Sequence, residues 1–386
     1  MSTLPITQTH LRDLIAFPTV SSQSNLDMLA HMAGLLETHG ARVTLFHDKT
    51  GQKANLWASI GPDEQGGIVL SGHSDVVPVT DQNWSRDPFT LWEEEDRLYG
   101  RGTCDMKGFI AACLAMAPVF AQTPLKKPVH FCFTHDEEIG CLGARALMPE
   151  LQKRDIKPAM AIIGEPTRLR IIEGHKGCCE YTTRFTGLEG HGSAPDRGVN
   201  AASFAIRYAS RLMELARTLR DNPPAQSRFD PPHTTINIGR INGGSAHNVI
   251  PGHAELDWEM RPVQQEDMTF VKSALDAYVS DTLLPEMRAI HPQSAITTQT
   301  IGEVVGLEPM EQNEARDLIM QLTGQNDCAL VPFGTEAGLF QGLGVHTIVC
   351  GPGDIAQAHK PDEYIELSEL AACLEMLHGL THSLTA

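Results

Sequence analysis

The sequence predicts an α/β protein with a mostly parallel sheet, into which a smaller α+β domain is inserted. Two observations predict the sheet: strand-like segments alternate with helix-like segments, and the strands are apolar at consecutive positions, as in sheets buried on both faces. A third observation predicts the insertion, because strands after Cys178 alternate polar and apolar residues. A chain of 386 residues also suits two domains. We therefore expect a main domain at 1–177 and 295–386 and an inserted domain at 178–294.

The elements of the main domain follow from apolar residues at helical spacing and from short apolar runs. In chain order they are a helix at 25–39, strands at 42–47, 54–60 and 68–71, a helix at 107–120, a strand at 129–134, a helix at 144–154 and a strand at 159–163. After the insertion come helices at 314–322 and 336–342, a strand at 346–350 and a helix at 368–384.

The inserted domain is predicted from a strand at 179–186, a helix at 200–220, strands at 234–240 and 253–260, a helix at 268–284 and a last strand near 295–300. The order β-α-β-β-α-β is typical of a ferredoxin-like sheet with its helices on one face.

Charge and cysteine content argue against several classes of partner and location. The net charge is −18 without a block of Lys and Arg, which disfavours nucleic acid and anionic membranes as partners. The nine cysteines form no Cys-x-x-Cys pair, so we expect neither a disulfide framework nor a structural zinc knuckle. The first residues do not resemble a signal peptide, and we identify no apolar run near the roughly 20 residues that span a bilayer. We expect a cytoplasmic protein without a membrane partner.

Histidines and carboxylates follow four predicted strands and precede one predicted helix. They are His73 and Asp75, Glu137 and Glu138, Glu165, His359, and, before the helix, Asp105. Each alone is ordinary: a lone histidine is commonly a loop residue, an aspartate before a helix is commonly an N-cap, and a Glu-Glu pair is commonly solvated. Because the carboxyl ends of parallel strands meet at one edge of a sheet, we expect all of them to lie close together.

This set of side chains predicts a metal centre. Imidazoles with several carboxylates suit zinc, cobalt or manganese better than calcium or a thiolate-bound metal. The five predicted ligands are His73, Asp105, Glu138, Glu165 and His359. One catalytic zinc needs three protein ligands, so five fit two metals that share a bridging carboxylate. We expect two divalent ions. Zinc is the expected metal, and cobalt can substitute for it.

Two acidic residues remain beside the predicted ligands. Asp75 lies two positions after His73 on an extended segment, so its carboxylate can orient the imidazole, as carboxylates commonly do for metal-binding histidines. Glu137 is adjacent to the ligand Glu138, which makes it the candidate general base.

The motifs around these residues carry a family resemblance from about Leu11 to the end of the chain. They are SGHSDVVP, YGRGTCDMKG, DEEIG, IGEPT and AHKPDE. With them the sequence resembles the dinuclear-zinc aminoacylase and carboxypeptidase family, which includes acetylornithine deacetylase and succinyl-diaminopimelate desuccinylase. The resemblance implies that His73 and Glu165 hold one metal, that Glu138 and His359 hold the other, and that Asp105 bridges them. It also implies that Glu137 is the base and proton shuttle, with Asp75 behind His73.

The resemblance gives the inserted domain a function as a lid that also forms a homodimer. His191, in GHGSAP, matches a histidine that reaches the partner's active site and stabilises an oxyanion. Asn248, in GGSAHNVIP, and Arg261, in EMRP, match positions that bind a substrate carboxylate. From the residues alone, His191 is more commonly a turn residue beside glycines, and Arg261 is equally part of a salt bridge at the rim of a site.

Within the family, the segments WSRDPFTL, GEPTRL, HKG and FGTEA are most similar to the acetylornithine deacetylase branch. This similarity implies hydrolysis of N-acetyl-L-ornithine to ornithine and acetate, a step of arginine biosynthesis. Thr335 and Glu336 then lie near the substrate, and Glu336 either meets its side-chain amine or makes a loop salt bridge. The alternatives are another N-acyl-amino-acid deacylase, a desuccinylase, a metallo-dipeptidase, or a non-catalytic metal-dependent binding protein.

Overall fold

A computed structural model of the protein describes residues 3–385. The helices are α1 (Thr3–Ile15), α2 (Leu26–Thr38), α3 (Gly108–Gln122), α4 (Leu142–Lys153), α5 (Ala201–Asp221), α6 (Gln265–Tyr278), α7 (Leu284–Ile290), α8 (Glu314–Thr323), α9 (Ala337–Gln341) and α10 (Leu367–Ser383). The strands are β1 (Arg42–His47), β2 (Ala54–Ile60), β3 (Ile68–His73), β4 (Trp92–Glu94), β5 (Arg97–Tyr99), β6 (Val129–Thr134), β7 (Met160–Pro166), β8 (Ile172–His175), β9 (Cys178–Thr186), β10 (Gly190–His191), β11 (Thr235–Gly243), β12 (Val249–Ile250), β13 (His253–Arg261), β14 (Ala295–Val304), β15 (Ala329–Val331), β16 (His346–Gly351) and β17 (Tyr364–Glu366).

An eight-stranded sheet forms the centre of the main unit, in the order β1-β2-β6-β3-β7-β16-β8-β15. Its middle is parallel, because β3 pairs in parallel with both β6 and β7, and β7 pairs in parallel with β16. β2 pairs antiparallel with β1 and β6 on one side. The four parallel strands are the four whose ends carry the predicted ligands, so the predicted fold class and the common edge are confirmed.

Helix α3 lies in the core of the main unit. By length and composition alone, the segment Thr103–Gln122 could cross a membrane. However, 83% of its most apolar part is buried inside the protein. We identified no such run in the sequence, so that expectation was wrong for this segment. Its apolar character comes from its place against the sheet and α1 and α10, where Phe109, Ile110 and Leu114 are buried.

The second unit has a four-stranded antiparallel sheet in the order β11-β13-β9-β14. In chain order its main elements run β9, α5, β11, β13, α6 and β14, which is the β-α-β-β-α-β arrangement. The helices and the sheet share a hydrophobic core that includes Tyr181, Leu212, Trp258 and Leu275. Helix α5 begins after Asn200, whose side chain accepts a hydrogen bond from the Ser203 amide at 3.0 Å.

The chain divides into two compact units at places that differ slightly from the predicted boundaries. One unit runs up to Gly174 and includes Pro309–Leu330 and the residues from Thr335 onwards, and the other contains His175–Glu308 and Val331–Gly334. The predicted boundary at 294 falls too early, because β14 is hydrogen-bonded to β9 from Ala295 to Val304. The helix predicted at 268–284 is confirmed as α6, which continues into α7 through a π-helical turn at Val279–Leu283.

Candidate metal centre

His73 ends β3 at the common edge of the parallel strands and is only 1% exposed. Its Nε2 lies 3.0 Å from Asp105 Oδ1 and 3.9 Å from Glu165 Oε1. Asp105 comes from the turn before α3, and Glu165 comes from β7, the strand next to β3. Three segments that are distant in sequence thus bring an imidazole and two carboxylates to one point.

The other oxygen of Asp105 faces the second histidine. Nε2 of His359 lies 3.3 Å from Asp105 Oδ2 and 3.1 Å from Glu138 Oε2. Each oxygen of Asp105 therefore faces a different histidine, which is the arrangement that a bridging carboxylate requires. The five predicted ligands form one linked cluster, although the division of ligands between two ions stays a prediction.

Glu137 lies beside this cluster. Ligand atoms of His73, Glu137 and Glu165 lie within 4.8 Å of one another, and so do those of His73, Asp105 and Glu138. A thiol also reaches the predicted base, since Cys141 Sγ lies 3.4 Å from Glu137 Oε1 and donates to it. The carboxylate of Glu137 is therefore within reach of a group held by His73 and Glu165.

Asp75 contacts His73 as predicted, but mainly through its backbone. His73 Nδ1 lies 2.9 Å from the Asp75 carbonyl oxygen and 3.6 Å from its Oδ1. The carboxylate instead accepts hydrogen bonds from the Glu137 amide at 3.0 Å and from the Ser21 hydroxyl at 2.6 Å, with the Glu138 amide at 3.4 Å. Asp75 thus orients the imidazole and fixes the backbone of the Glu137–Glu138 pair.

Burial and mutual repulsion raise the pKa of three carboxyl groups at the centre, those of Glu137, Glu138 and Glu165. Burial raises the pKa of Glu137 to about 8, with the charges of Glu138 and Asp105 adding to the effect and His73 opposing it. Burial and the charge of Asp105 also raise the pKa of Glu138 and of Glu165. These carboxylates are therefore held in a site where their negative charge is costly.

The donor set fits a pair of divalent cations. Four carboxylates and two imidazoles converge where the raised pKa values of Glu137 and Glu165 indicate an excess of buried negative charge, and cations between them would relieve it. Lys107 is one buried cation of this region, but its Nζ donates to the carbonyls of Leu14 and Phe17, at 3.0 and 2.8 Å. Burial lowers the pKa of Lys107 to about 7, so its own charge is a weak counterweight.

The sequence reasoning missed two buried residues behind the centre, Arg101 and Glu363, each 1% exposed. Both lie inside motifs that contain predicted metal ligands, YGRGTCDMKG and AHKPDE. A charged residue inside such a motif is the feature of the sequence that could have identified them. Lys53 was missed as well. Its Nζ contacts Asp136 and the Ser21 carbonyl, which ties the DEEIG segment to the chain before α2.

Glu336 lies within the main unit and is 1% exposed. Its Oε1 accepts from the Ser71 hydroxyl at 2.6 Å and its Oε2 from the Thr134 hydroxyl at 2.7 Å. Thr335 is also buried, and its Oγ1 accepts from the Ala337 amide at 3.1 Å. This burial argues against the direct contact of Glu336 with a substrate amine that the sequence suggested, and its partners are hydroxyls on β3 and β6 rather than a loop cation.

In the second unit, His191 and Asn248 are exposed neighbours. Strand β10 pairs with β12, with His191 opposite Val249, and the Gly192 amide donates to the Asn248 carbonyl at 2.7 Å. A Cβ on Gly192 would lie 2.9 Å from the Asn248 backbone, so glycine permits this approach. The Ser193 amide donates to His191 Nδ1 at 3.2 Å, which leaves Nε2–H of the neutral ring as an exposed donor.

Arg261 lies at the other end of the same sheet. It ends β13, whereas Asn248 and His191 lie beside the start of that strand at His253. The eight residue steps from His253 to Arg261 span about 26 Å of extended chain. Arg261 Nη2 pairs with Glu259 Oε2 at 2.8 Å. Within one second unit, therefore, Arg261 and the His191–Asn248 pair belong to opposite ends of β13.

Comparison with known proteins agrees with this geometry. The sequence model of peptidase family M20/M25/M40 matches residues 69–383. An acetylornithine deacetylase of Yersinia pseudotuberculosis is 37% identical over 382 residues, covering 96% of this chain and 95% of that protein. A metallo-carboxypeptidase of the M20 family from Sulfolobus solfataricus has a TM-score of 0.73 at 18% identity, covering 97% of this chain and 98% of that one. A dinuclear metal-binding M20 peptidase from Bacillus subtilis has a TM-score of 0.64 at 16% identity over 99% of each chain. The chain belongs to peptidase family M20/M25/M40.

Proposed function

We propose that the protein is a metal-dependent amide hydrolase that removes the acetyl group of N-acetyl-L-ornithine. The observation that carries the proposal is the convergence of five candidate ligands and Glu137 at one edge of the parallel sheet. The substrate is supported by the 37% identity to acetylornithine deacetylases over nearly the whole chain. The products are L-ornithine and acetate, and the step belongs to arginine biosynthesis.

Two divalent cations, zinc in the first place and cobalt as a substitute, fit between His73, Asp105, Glu138, Glu165 and His359. When bound, such ions lower the pKa of an attacking water and polarise the acyl carbonyl. Asp105 faces both histidines, so it is the proposed bridging ligand.

Glu137 is the proposed general base. It takes a proton from the attacking water as the new carbon–oxygen bond forms, and it passes that proton to the departing amine as the amide carbon–nitrogen bond breaks. Its backbone is fixed by the hydrogen bond from its amide to Asp75, so the base is held at the centre before substrate arrives. Cations bound at the centre would favour the ionised form of Glu137 and would oppose the increase in its pKa that burial causes.

We propose a homodimer in which each active site receives residues from both protomers. Arg261 ends β13, and the pair His191–Asn248 lies beside the other end of this strand, which spans about 26 Å. One substrate carboxylate can be bound by Arg261 of one protomer while a partner supplies Asn248 and the Nε2–H of His191, which would stabilise the oxyanion.

Features of the second unit support such a dimer. β11 is an edge strand of the four-stranded sheet, and Ile241 on it is 51% exposed. Helix α5 exposes Ile206 at 58% and Met213 at 48%, seven residues apart and hence on one face of the helix. An edge strand beside an apolar helix face is suited to pairing with a second copy.

We also propose a cytoplasmic location. None of the nine cysteines forms a disulfide within residues 3–385. Thiols in this number without a disulfide suit a reducing compartment.

A panel of substrates tests the proposed function. Zinc- or cobalt-loaded protein is assayed with N-acetyl-L-ornithine, N-acetyl-L-methionine, N-succinyl-diaminopimelate and a dipeptide at equal concentrations. We expect the highest kcat/KM for acetylornithine. A higher value for another acyl amino acid or for the dipeptide reassigns the substrate within the same chemistry. No turnover of any compound by protein that holds two metal ions would leave only a binding function.

A further inference from the structure

Behind the metal centre lies a continuous chain of hydrogen bonds that begins at Glu363. This carboxylate is 1% exposed, and its Oε1 accepts from the amides of Cys104 at 2.9 Å and Asp105 at 3.0 Å. Its Oε2 accepts from the Gly102 amide at 3.0 Å and from Arg101 Nη1 at 2.6 Å. Four donors on one buried carboxylate fix the turn that presents Asp105.

Arg101 continues the chain toward the other side of the centre. Its guanidinium is 4.9 Å from the ring centroid of Trp84, and its Nη2 donates to Gln82 Oε1 at 2.6 Å. Gln82 Nε2 then donates to the backbone carbonyl of His359 at 2.8 Å. The chain therefore connects the amide of Asp105 with the carbonyl of His359.

His359 is the ligand that most needs such support. Its side chain is 53% exposed, whereas that of Asp105 is 7% exposed and that of His73 is 1% exposed. Its φ is +63°, a conformation that costs energy for a residue with a side chain unless neighbouring contacts hold it. The Gln82 amide and Arg101 Nη1, which donates to the Lys360 carbonyl at 3.2 Å, hold this segment.

We propose that Glu363, Arg101 and Gln82 are positioning residues that set the separation of Asp105 and His359, and thereby the affinity for the ion held with Glu138. The inference rests on the proposed dinuclear centre. The residues act through the backbone and do not touch substrate. Outer partners that orient ligands commonly change metal affinity 10- to 100-fold when they are replaced.

Metal binding by matched variants tests the proposal. Glu363→Gln removes the charge that gathers the four donors, and Gln82→Met removes the links from Gln82 to Arg101 and to His359. Glu173→Gln is the control for the first, because Glu173 is also a buried partner of an arginine, with Arg316 Nη1 at 3.1 Å. Gln65→Met is the control for the second, because Gln65 Nε2 also donates to a backbone carbonyl, that of Asp155, at 2.6 Å.

Each protein is freed of metal and titrated with Co²⁺ by calorimetry and by its visible spectrum, and circular dichroism checks the fold. We expect two binding events in the wild type and in both controls. In Glu363→Gln and Gln82→Met the weaker event falls 10- to 100-fold in affinity, and excess Co²⁺ restores kcat. If Glu363→Gln does not fold, Gln82→Met decides alone.

The outcomes separate this inference from the proposed function. A wild type that binds fewer than two ions overturns the dinuclear centre and the inference with it. Suppose instead that the wild type binds two ions and that Gln82→Met, and Glu363→Gln if it folds, bind both with wild-type affinity. That result overturns the positioning role and leaves the proposed function intact.

Discussion

The two units hold their candidate residues in opposite ways. In the main unit, His73, Asp105 and Glu165 are between 1% and 6% exposed and carry strong charge interactions with one another. In the second unit, His191 and Asn248 are exposed on short strands and turns, and they are held by backbone hydrogen bonds. These candidate residues of the main unit are thus fixed by burial before any ligand binds, with the exposed His359 as the exception, while the second unit offers groups that a substrate or a second protomer can reach.

The difference has a physical reason. Carboxylates that bind metal must be held close together in spite of their repulsion, and burial within a rigid sheet edge supplies the constraint. A donor that serves an oxyanion only when substrate is present needs no such constraint until the site closes. Substitutions on the two sides should therefore differ in what they change: metal binding and proton transfer on one side, and substrate contact on the other.

The largest effect is expected from Glu137→Ala. We expect kcat to fall by roughly 10²- to 10⁴-fold, because the proton transfer loses its base, while the number of bound ions stays at two. The measurement is steady-state kinetics with acetylornithine together with metal analysis of the same sample. Glu94→Ala, an exposed acidic residue of the same unit, is the control and should match the wild type. A near-wild-type rate in Glu137→Ala with both ions bound would exclude this residue as the base.

His191→Ala tests the second unit. We expect kcat to fall by about 10²- to 10³-fold with both ions retained, because one donor to the oxyanion is lost. His253→Ala, an exposed histidine of the same unit, is the control. Loss of metal from His191→Ala would contradict the division of functions between the units.

Mixing the two inactive proteins sharpens this prediction. A heterodimer of Glu137→Ala and His191→Ala contains one complete site only if His191 acts across the dimer, since the His191→Ala protomer keeps Glu137 and receives the partner's histidine. We expect activity to return after the proteins are unfolded together and refolded. An inactive mixture whose heterodimer is demonstrated by native mass spectrometry would place His191 in the site of its own protomer.

The sequence predicted the buried side of this comparison well, for reasons of local chemistry. Each ligand follows an apolar strand or precedes an apolar helix, as His73 and Glu165 do, so its position at the common edge follows from the parallel topology. Glu363 was not identified, because nothing in a sequence indicates that a carboxylate near His359 will accept amides from the turn around Asp105. Such contacts depend on loop geometry.

The second unit was harder to predict for a different reason. Its long strands and helices follow from periodicity, but β10 and β12 have two residues each and carry no periodic signal. The pairing that brings His191 beside Asn248 was therefore invisible, and both residues were identified by resemblance alone. The boundary at 294 fell before the strand near 295–300 that the sequence had already indicated for the inserted domain, and β14 pairs with β9 from Ala295 to Val304.

A smaller effect is expected from Glu336→Gln. Because Glu336 is buried between the hydroxyls of Ser71 and Thr134, we expect kcat/KM for acetylornithine and for acetyl-norleucine to fall together, by no more than about tenfold. Glu173→Gln is the control for loss of a buried carboxylate in the main unit. A loss confined to acetylornithine would instead show that Glu336 meets the substrate amine, as the sequence suggested.

The smallest effect is on the stability of the protein. It follows from a comparison of the pKa values of two buried histidines of the main unit, His73 and His130. Burial lowers the pKa of both, but at His73 hydrogen bonds to Asp105 and Asp75 outweigh it and raise the pKa, whereas burial prevails at His130 and lowers its pKa to about 4. A histidine whose pKa is lower in the folded protein stabilises the fold above the unfolded pKa of about 6.5, and this contribution is lost as pH falls toward 4.

His130→Gln should therefore remove part of the acid sensitivity. Between pH 7 and pH 5 the wild type loses about 2 kcal/mol of unfolding free energy through His130, and the variant does not, as urea titrations followed by tryptophan fluorescence would measure. The exposed His47→Gln should behave as the wild type does. Equal acid sensitivity in the wild type and His130→Gln would mean that His130 is not held neutral. The contrast with His73 would then come from the carboxylates beside His73 alone and not from the burial of His130.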